Sequence, residues 1–111
     1  MTDLTIQDLF DKLPVAFLPE RAVGVNTTIF FELEGERGGE WLVHIHDQRC
    51  EVSRGRLENP NLLLRATAQD VLDIFTGKLD AVRAYMKGRV QMTGDMSLAM
   101  SLTSLFDVRK V

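Results

Sequence analysis

Apolar residues recur at helical spacing near the beginning of the chain. Four of them stand at positions i, i+3, i+4 and i+7 and form one stripe of a helix: Ile6, Leu9, Phe10 and Leu13. Thr5 precedes the stripe, and Asp8 stands three residues after Thr5, in the arrangement of a capping box. The pattern predicts a helix that begins at Thr5 and that Pro14 ends or restarts, while Pro19 closes the short apolar segment after it.

From Asn26 onward the hydrophobic period changes to two, which is typical of strands. Two runs each place three apolar residues on one face: Ile29, Phe31 and Leu33, then Trp41, Val43 and Ile45. Residues 35–39 separate the runs and contain three glycines, so we predict a β-hairpin. The expected antiparallel register pairs the two apolar faces: Leu33 with Trp41, Phe31 with Val43 and Ile29 with Ile45.

Three further strands and three further helices are predicted downstream. The strands cover residues 49–54, 62–67 and 89–93, and the last has Val90 and Met92 on its buried face. The helices begin after Thr67, Asp80 and Gly94-Asp95. Their apolar sides are Val71, Leu72 and Phe75, then Val82, Tyr85 and Met86, then Leu98, Ala99, Leu102, Leu105 and Phe106. This order of elements predicts an α+β fold.

Length and composition narrow the function classes. The 111 residues are enough for one domain, and 45% hydrophobic with 26% charged residues is ordinary for a globular protein. The net charge of −3, without a basic block, argues against a nucleic-acid partner. Apolar runs are far shorter than the ~20 residues that span a bilayer, and the start of the chain has no signal-peptide pattern. We therefore expect a single cytoplasmic domain without a transmembrane segment.

His44 and His46 are the first candidates for chemistry, because two residues apart on a strand their side chains share a face. Glu32 on the neighbouring strand offers a third metal ligand. Asp47 is expected to point away from the face that carries the two histidines. That face is opposite Trp41, so the sequence favours solvated surface histidines over a metal site, and no metal ligand is assigned.

The remaining reactive residue types also have plain structural interpretations. Cys50, the only cysteine, is interpreted as a small buried hydrophobe rather than a nucleophile. Asp70, Asp73 and Asp80 could act as acids or bases, but helix capping explains them sufficiently. The chain contains no phosphate loop, Gly-x-Ser-x-Gly elbow or His-Glu-x-x-His pair. We predict no catalytic residue and no cofactor.

The order of the residues resembles the sterol carrier protein 2 family. The matching segments run in register from about Asn26 to Phe106: Trp41-x-Val43-x-Ile45, Val52-x-x-Gly55, Gly77-Lys78-Leu79-Asp80, Met86-Lys87-Gly88-Arg89-Val90 and Gly94-Asp95-Met96. Each segment alone is weak evidence, but five in order are strong. Residues 1–25 match the family only loosely and are expected to form a helical cover.

The resemblance implies a fold and a function. The implied fold is a five-stranded, mainly antiparallel sheet with helices packed on one face and an apolar tunnel between them, all within one domain of residues 1–111. In the family, this tunnel holds a fatty-acyl chain, a sterol or a similar lipid, and the domain is not catalytic on its own. For this chain we expect a fatty-acyl, sterol-like or isoprenoid ligand. The predicted lipid-binding residues are Phe31, Trp41, Val43, Phe75, Leu79, Met86, Met92, Leu98, Met100, Leu102, Leu105 and Phe106.

Two other functions stay open from the sequence. One is an accessory domain that presents a hydrophobic substrate to a partner enzyme; the other is an interaction domain with a filled core. The sheet face opposite the helices carries Phe30, Leu42, His44 and Leu63, with no covering element predicted, so we expect a monomer or a weak homodimer.

Overall fold

The computed structural model describes residues 4–35 and 38–111. Along the chain the helices are α1 (Ile6–Ala16), α2 (Ala68–Phe75), α3 (Ala81–Met86) and α4 (Met96–Ser101), and the strands are β1 (Thr27–Glu34), β2 (Gly39–His46), β3 (Arg49–Arg54), β4 (Leu62–Thr67) and β5 (Gln91–Gly94). Short 3-10 turns cover Pro19–Arg21, Leu102–Leu105 and Val108–Lys110. Among these helices none is long and apolar enough to cross a membrane.

The five strands form one sheet in the order β3-β2-β1-β4-β5, with β1 at its centre. β1 runs parallel to β4, and every other neighbouring pair is antiparallel. α1, α2, α4 and the 3-10 turn Leu102–Leu105 bury apolar side chains against one face of this sheet, and α3 adds only Ala84. The predicted α+β fold with a mainly antiparallel five-stranded sheet is confirmed.

The register predicted for the first hairpin is wrong by two residues. Phe31 lies opposite Trp41 and Ile29 opposite Val43, because Gly39 joins β2 opposite Leu33 instead of remaining in the turn. Gly39 has a φ of 135°, which suits glycine at this point where the strand begins. A shift of two residues keeps every side chain on its face, so the predicted faces survive the error. Glu36 and Arg37 of the predicted turn lie outside the described residues.

Pro14 neither ends nor restarts α1, because the helix continues through it to Ala16. Proline removes one backbone N–H near the end of the helix, and the buried side chains of Leu13 and Ala16 hold the last turn against the core. The predicted capping box is confirmed: the Asp8 N–H donates to Thr5 Oγ1 at 3.1 Å, and the Thr5 N–H donates to Asp8 Oδ2 at 3.1 Å.

The last predicted helix is also shorter than expected. α4 gives way at Leu102 to a 3-10 turn, and Phe106 leaves helical geometry to form an antiparallel bridge with Phe17. Backbone hydrogen bonds on both sides of the bridge, Leu18 N to Leu105 O and Asp107 N to Ala16 O, are each 2.8 Å long. The C-terminal segment therefore pairs with the end of α1, a long-range contact that local periodicity does not contain.

The outer face of the sheet is partly covered, contrary to the prediction that no element was left to cover it. Phe30 is only 4% exposed, and the Arg56 guanidinium lies 5.8 Å from its ring centroid. Leu57 and Pro60 line a pocket beside it. The loop between β3 and β4 therefore shields the ring that the sequence leaves open to solvent.

Candidate functional site

An apolar layer fills the space between the sheet and the helices. The inward faces of β1, β2 and β4 supply its floor, and α1, α2, α4 and the 3-10 turn after α4 supply its roof. Strand alternation directs every second side chain inward, and the helical stripes face them. The buried members of the floor and roof include Ile29, Phe31, Leu33, Trp41, Val43, Leu64, Phe10, Leu13, Val71, Phe75, Leu98, Leu102, Leu105 and Phe106.

Aromatic rings form a continuous run through this layer. Neighbouring centroids are 4.5 Å apart for Trp41 and Phe10, 5.2 Å for Phe10 and Phe31, 6.3 Å for Phe31 and Phe75, 5.7 Å for Phe75 and Phe106, and 5.8 Å for Phe106 and Phe17. These rings come from two strands, two helices and two irregular segments. The set of predicted site residues lacks Phe10 and Phe17, although the stripe that contains Phe10 was visible in the sequence.

Trp41 lies at one end of the aromatic run. Its ring stacks on Phe10 with an interplanar angle of 7°, and the Arg54 guanidinium lies 4.8 Å from its centroid. The Trp41 Nε1–H is buried and has no hydrogen-bond acceptor among the described residues. A buried donor of this kind is satisfied when a polar ligand atom or a water comes within reach.

A groove of about 590 Å³ opens where the beginning of α1 meets α2. Leu4, Ile6, Ala68 and Leu72 form its apolar floor; Ile6 and Ala68 belong to the buried core, and the other two pack against it. Polar side chains form the rim: Thr5, Glu34, Thr67, Gln69, Asp73, Thr76 and Lys78. The volume falls within the ~300–1,000 Å³ of small-molecule sites, and none of the predicted lipid-binding residues lines this groove.

The structure separates the twelve predicted lipid-binding residues into three groups. Eight are buried in the apolar layer: Phe31, Trp41, Val43, Phe75, Leu98, Leu102, Leu105 and Phe106. Leu79 and Met92 are partly buried and pack against that layer. Met86 and Met100 are instead 78% and 50% exposed on the surfaces of α3 and α4.

The exposure of Met86 follows from how α3 is attached. α3 buries only Ala84, whose carbonyl accepts hydrogen bonds from the N–H groups of Arg89 and Val90. With this small residue against the core, the apolar side that the sequence predicts for the helix faces outward, and Val82 and Tyr85 are exposed too.

Each candidate carboxylate has a structural partner. Asp70 in the first turn of α2 forms an ion pair with Arg89. Asp80 caps α3 by accepting from the N–H groups of Val82 and Arg83 at 2.9 and 3.1 Å. Asp73 accepts a hydrogen bond of 2.9 Å from Gln69 Nε2. These contacts account for the three carboxylates as partners in an ion pair, a helix cap and a side-chain hydrogen bond.

Cys50 lies on β3 and is partly buried. Burial, followed by the nearby charge of Glu51, raises the pKa of its thiol to about 12. Since only the thiolate is an effective nucleophile, we expect this thiol to react slowly at neutral pH, which agrees with its interpretation as a small hydrophobe.

Known sequences similar to this chain point to one family. A family model described as the SCP-2 sterol transfer family matches residues 7–107. Hydroxysteroid dehydrogenase-like protein 2 of Homo sapiens is 32% identical over 78 residues, which are 69% of this chain and 19% of that protein. The chain therefore corresponds to about a fifth of the length of this relative.

Solved structures share the fold. The sec-alkylsulfatase Pisa1 from Pseudomonas sp. superposes with a TM-score of 0.84 at 23% identity, over 94% of this chain and 16% of that one. The palmitated SCP2L2 from Aedes aegypti superposes with a TM-score of 0.70 at 22% identity, over 94% of this chain and 93% of that one. The same architecture thus occurs both as a small chain and as a minor part of a much larger one.

Proposed function

We propose that this chain, which belongs to the SCP-2 sterol transfer family, binds a fatty-acyl, sterol-like or isoprenoid molecule in the apolar layer between its sheet and its helices. The family is a lipid-binding one, and the proposed role is that of a carrier, which needs no catalytic residue. The observation that carries the proposal is the aromatic run from Trp41 to Phe17, which passes through the layer.

Apolar contact alone is sufficient for binding of this kind. Removing one methylene from water contributes ~0.8 kcal/mol, so the fourteen methylenes of palmitate contribute on the order of 11 kcal/mol before the costs of association. Flat rings and flexible side chains such as Met92 can adapt to ligands of different shape. The proposed contacts are the buried and partly buried members of the predicted set, from Phe31 to Phe106.

The groove beside Leu72 is the proposed mouth of the site. Its floor is continuous with the buried core, while its rim is polar. A lipid with one polar end matches this arrangement: the chain lies against Leu4, Ile6 and Leu72, and the head group stays at the rim. Lys78 is the cation among the described residues of this rim, which also carries the carboxylates of Glu34 and Asp73, and we infer that a carboxylate head group pairs with Lys78.

The side chains of the layer are buried against one another in this structure, so we expect some of them to move when a ligand enters. Among the α-helices of the described residues, α3 with one buried residue and α4 with two bury the fewest side chains. Local opening takes place where few buried contacts oppose it. We therefore expect α3 and α4 to move outward when a lipid enters, which places the exposed Met86 and Met100 at the margin of the expanded site.

Trp41 is the only tryptophan and provides the test. Titration with palmitate should change its fluorescence saturably at one ligand per chain. Leu72→Glu should weaken binding at least tenfold, because it places a carboxylate on the floor of the proposed mouth. Val15→Glu adds the same charge at a residue that is 72% exposed on α1 and should leave the affinity unchanged.

Three results would contradict this function: no saturable signal, no palmitate retained in equilibrium dialysis, or equal affinities of the two glutamate variants. Lys78→Gln tests the contribution of the head group to binding separately from that of the alkyl chain. We expect it to weaken binding of palmitate several-fold while leaving binding of the corresponding alcohol unchanged.

A second candidate function is presentation of a hydrophobic substrate to an enzyme. It is favoured by the two matches in which this fold is a small part of a longer protein, hydroxysteroid dehydrogenase-like protein 2 and the alkylsulfatase. In that case a partner enzyme should turn over lipid bound to this chain faster than the same lipid free in solution. Equal rates for bound and free substrate would favour a carrier alone.

A further inference from the structure

The outer face of the sheet carries a cluster of metal-binding side chains. His44 and His46 on β2 and Glu51 on β3 have ligand atoms within 4.8 Å of one another. The two imidazole rings stack with centroids 4.2 Å apart and an interplanar angle of 20°. Glu51 pairs directly with His44 across the two strands, so the backbone register itself brings the three residues together.

Both ring nitrogens of His46 have a carboxylate beside them. Its Nε2 is 3.1 Å from Glu51 Oε1, and its Nδ1 is 3.3 Å from Asp47 Oδ2. Glu32, which the sequence offers as a third ligand without requiring it, is instead engaged by Arg65 at 2.9 Å. The expectation that Asp47 points away from the histidines is also wrong.

The turn between β2 and β3 holds Asp47 in this position. Asp47 and Gln48 both have positive φ, 50° and 58°, which is the backbone of a two-residue hairpin turn. Gln48 Nε2 donates to the Pro19 carbonyl at 3.1 Å and anchors the turn to the preceding segment. Asp47 thereby lies on the Nδ1 side of His46 and leaves Nε2 facing Glu51.

We propose that His44, His46 and Glu51 bind one divalent transition-metal ion of the Zn²⁺ class, with Asp47 as the carboxylate that orients His46. Two imidazoles and one carboxylate suit such ions, and a fourth position stays open to water. Ligand atoms around a tetrahedral zinc ion are roughly 3.3 Å apart for bonds of ~2.05 Å, close to the present distance between His46 Nε2 and Glu51. A carboxylate on the second ring nitrogen is the usual outer partner of a zinc-bound histidine.

One nearby charge opposes the ion. Arg49 is the cross-strand neighbour of His46, but its side chain is exposed and the carboxylates of Asp47 and Glu51 lie on the same hairpin. The site lies on the opposite face of the sheet from the apolar layer, and its ligands come from β2 and from the edge strand β3. Metal binding is therefore independent of lipid binding, and its expected consequence is a more stable β2–β3 hairpin.

The test is a titration of the tag-free chain with ZnCl₂ by calorimetry, with NMR of the histidine rings as a second readout. We expect one ion per chain, shifts of both ring signals and a higher Tm with zinc. His44→Gln, His46→Gln and Glu51→Gln should each weaken binding at least tenfold, and Asp47→Asn should weaken it by about 10- to 100-fold.

Asp11→Asn is the matched control, because it removes one exposed carboxylate on α1, on the other side of the sheet. It should bind zinc as the original chain does. No zinc binding at micromolar concentrations would overturn the proposal, as would binding that survives both histidine substitutions or that Cys50→Ser abolishes. Glu51 and Asp47 are exposed, so their variants keep the fold and retain the test if a histidine variant does not fold.

Discussion

Removing the Arg89 guanidinium should destabilise the fold by leaving the Asp70 carboxylate without a cation. Asp70 accepts from Arg89 while its own N–H donates to Thr67 Oγ1, so the carboxylate belongs to the capped first turn of α2. Arg89 immediately precedes Val90 and β5. The ion pair therefore connects the roof of the apolar layer to the edge of the sheet.

The exposure of the two side chains sets the magnitude. The Asp70 side chain is 11% exposed and that of Arg89 49%. Breaking a fully buried pair costs about 3–5 kcal/mol, whereas an exposed pair contributes about 0–1 kcal/mol. This pair lies between the two limits, so Arg89→Gln should lower the free energy of unfolding by about 1–3 kcal/mol. For a domain of this size, that corresponds to a Tm lower by roughly 5–20 °C.

A double-mutant cycle measures the interaction itself. Urea unfolding of Asp70→Asn, Arg89→Gln and the double variant should give a coupling free energy of at least about 1 kcal/mol. Arg83→Gln, which removes an exposed arginine on α3, should change stability by less than about 0.5 kcal/mol. Additive single effects would refute the reasoning. Loss of a lipid-dependent turnover in Asp70→Asn at unchanged stability would make this carboxylate catalytic instead.

The other predictions concern Cys50, His46, Phe30 and Leu42. Cys50 should react with iodoacetamide at pH 8 far more slowly than a free thiol, because burial raises its pKa to about 12, and fast alkylation would contradict this. The pKa of His46, measured by NMR, should lie above 6.5, because hydrogen bonds to Glu51 and, second, to Asp47 favour the charged imidazole. Glu51→Gln should lower this pKa. The stability from His46 should be present below pH 6.5 and be lost as pH rises through the raised value, which urea unfolding against pH checks. Phe30→Glu should lower the free energy of unfolding in urea by about 3 kcal/mol, because the ring is buried. Leu42→Glu should fold, and its sedimentation tests whether the outer face of the sheet self-associates.

Local pattern was sufficient for most of the fold. Alternation and helical spacing predicted the boundaries of β3 and β4 and the caps at Thr5, Thr67 and Asp80, because each depends on neighbouring residues. The pairing of β1 with β2 was wrong by two residues, since a slip of two preserves both faces and only the turn decides between registers. The 3-10 turn after α4 was missed because it depends on the pairing of Phe106 with Phe17.

The candidate site was predictable only in part. Residues with strand or helix periodicity, such as Phe31 and Phe75, were assigned to the apolar layer and lie there. Met86 was misplaced because periodicity shows that α3 has an apolar side but not which side meets the core. The groove floor at Leu4 and Leu72 joins two segments far apart in sequence, and no local signal connects them.

Native mass spectrometry of the purified chain with increasing palmitate tests the central claim most directly. The account predicts one adduct of the mass of palmitate per chain, saturating with concentration and strongly reduced in Leu72→Glu but not in Val15→Glu. A spectrum that shows only the free chain at all palmitate concentrations, or unsaturable adducts equally present in both variants, would contradict it.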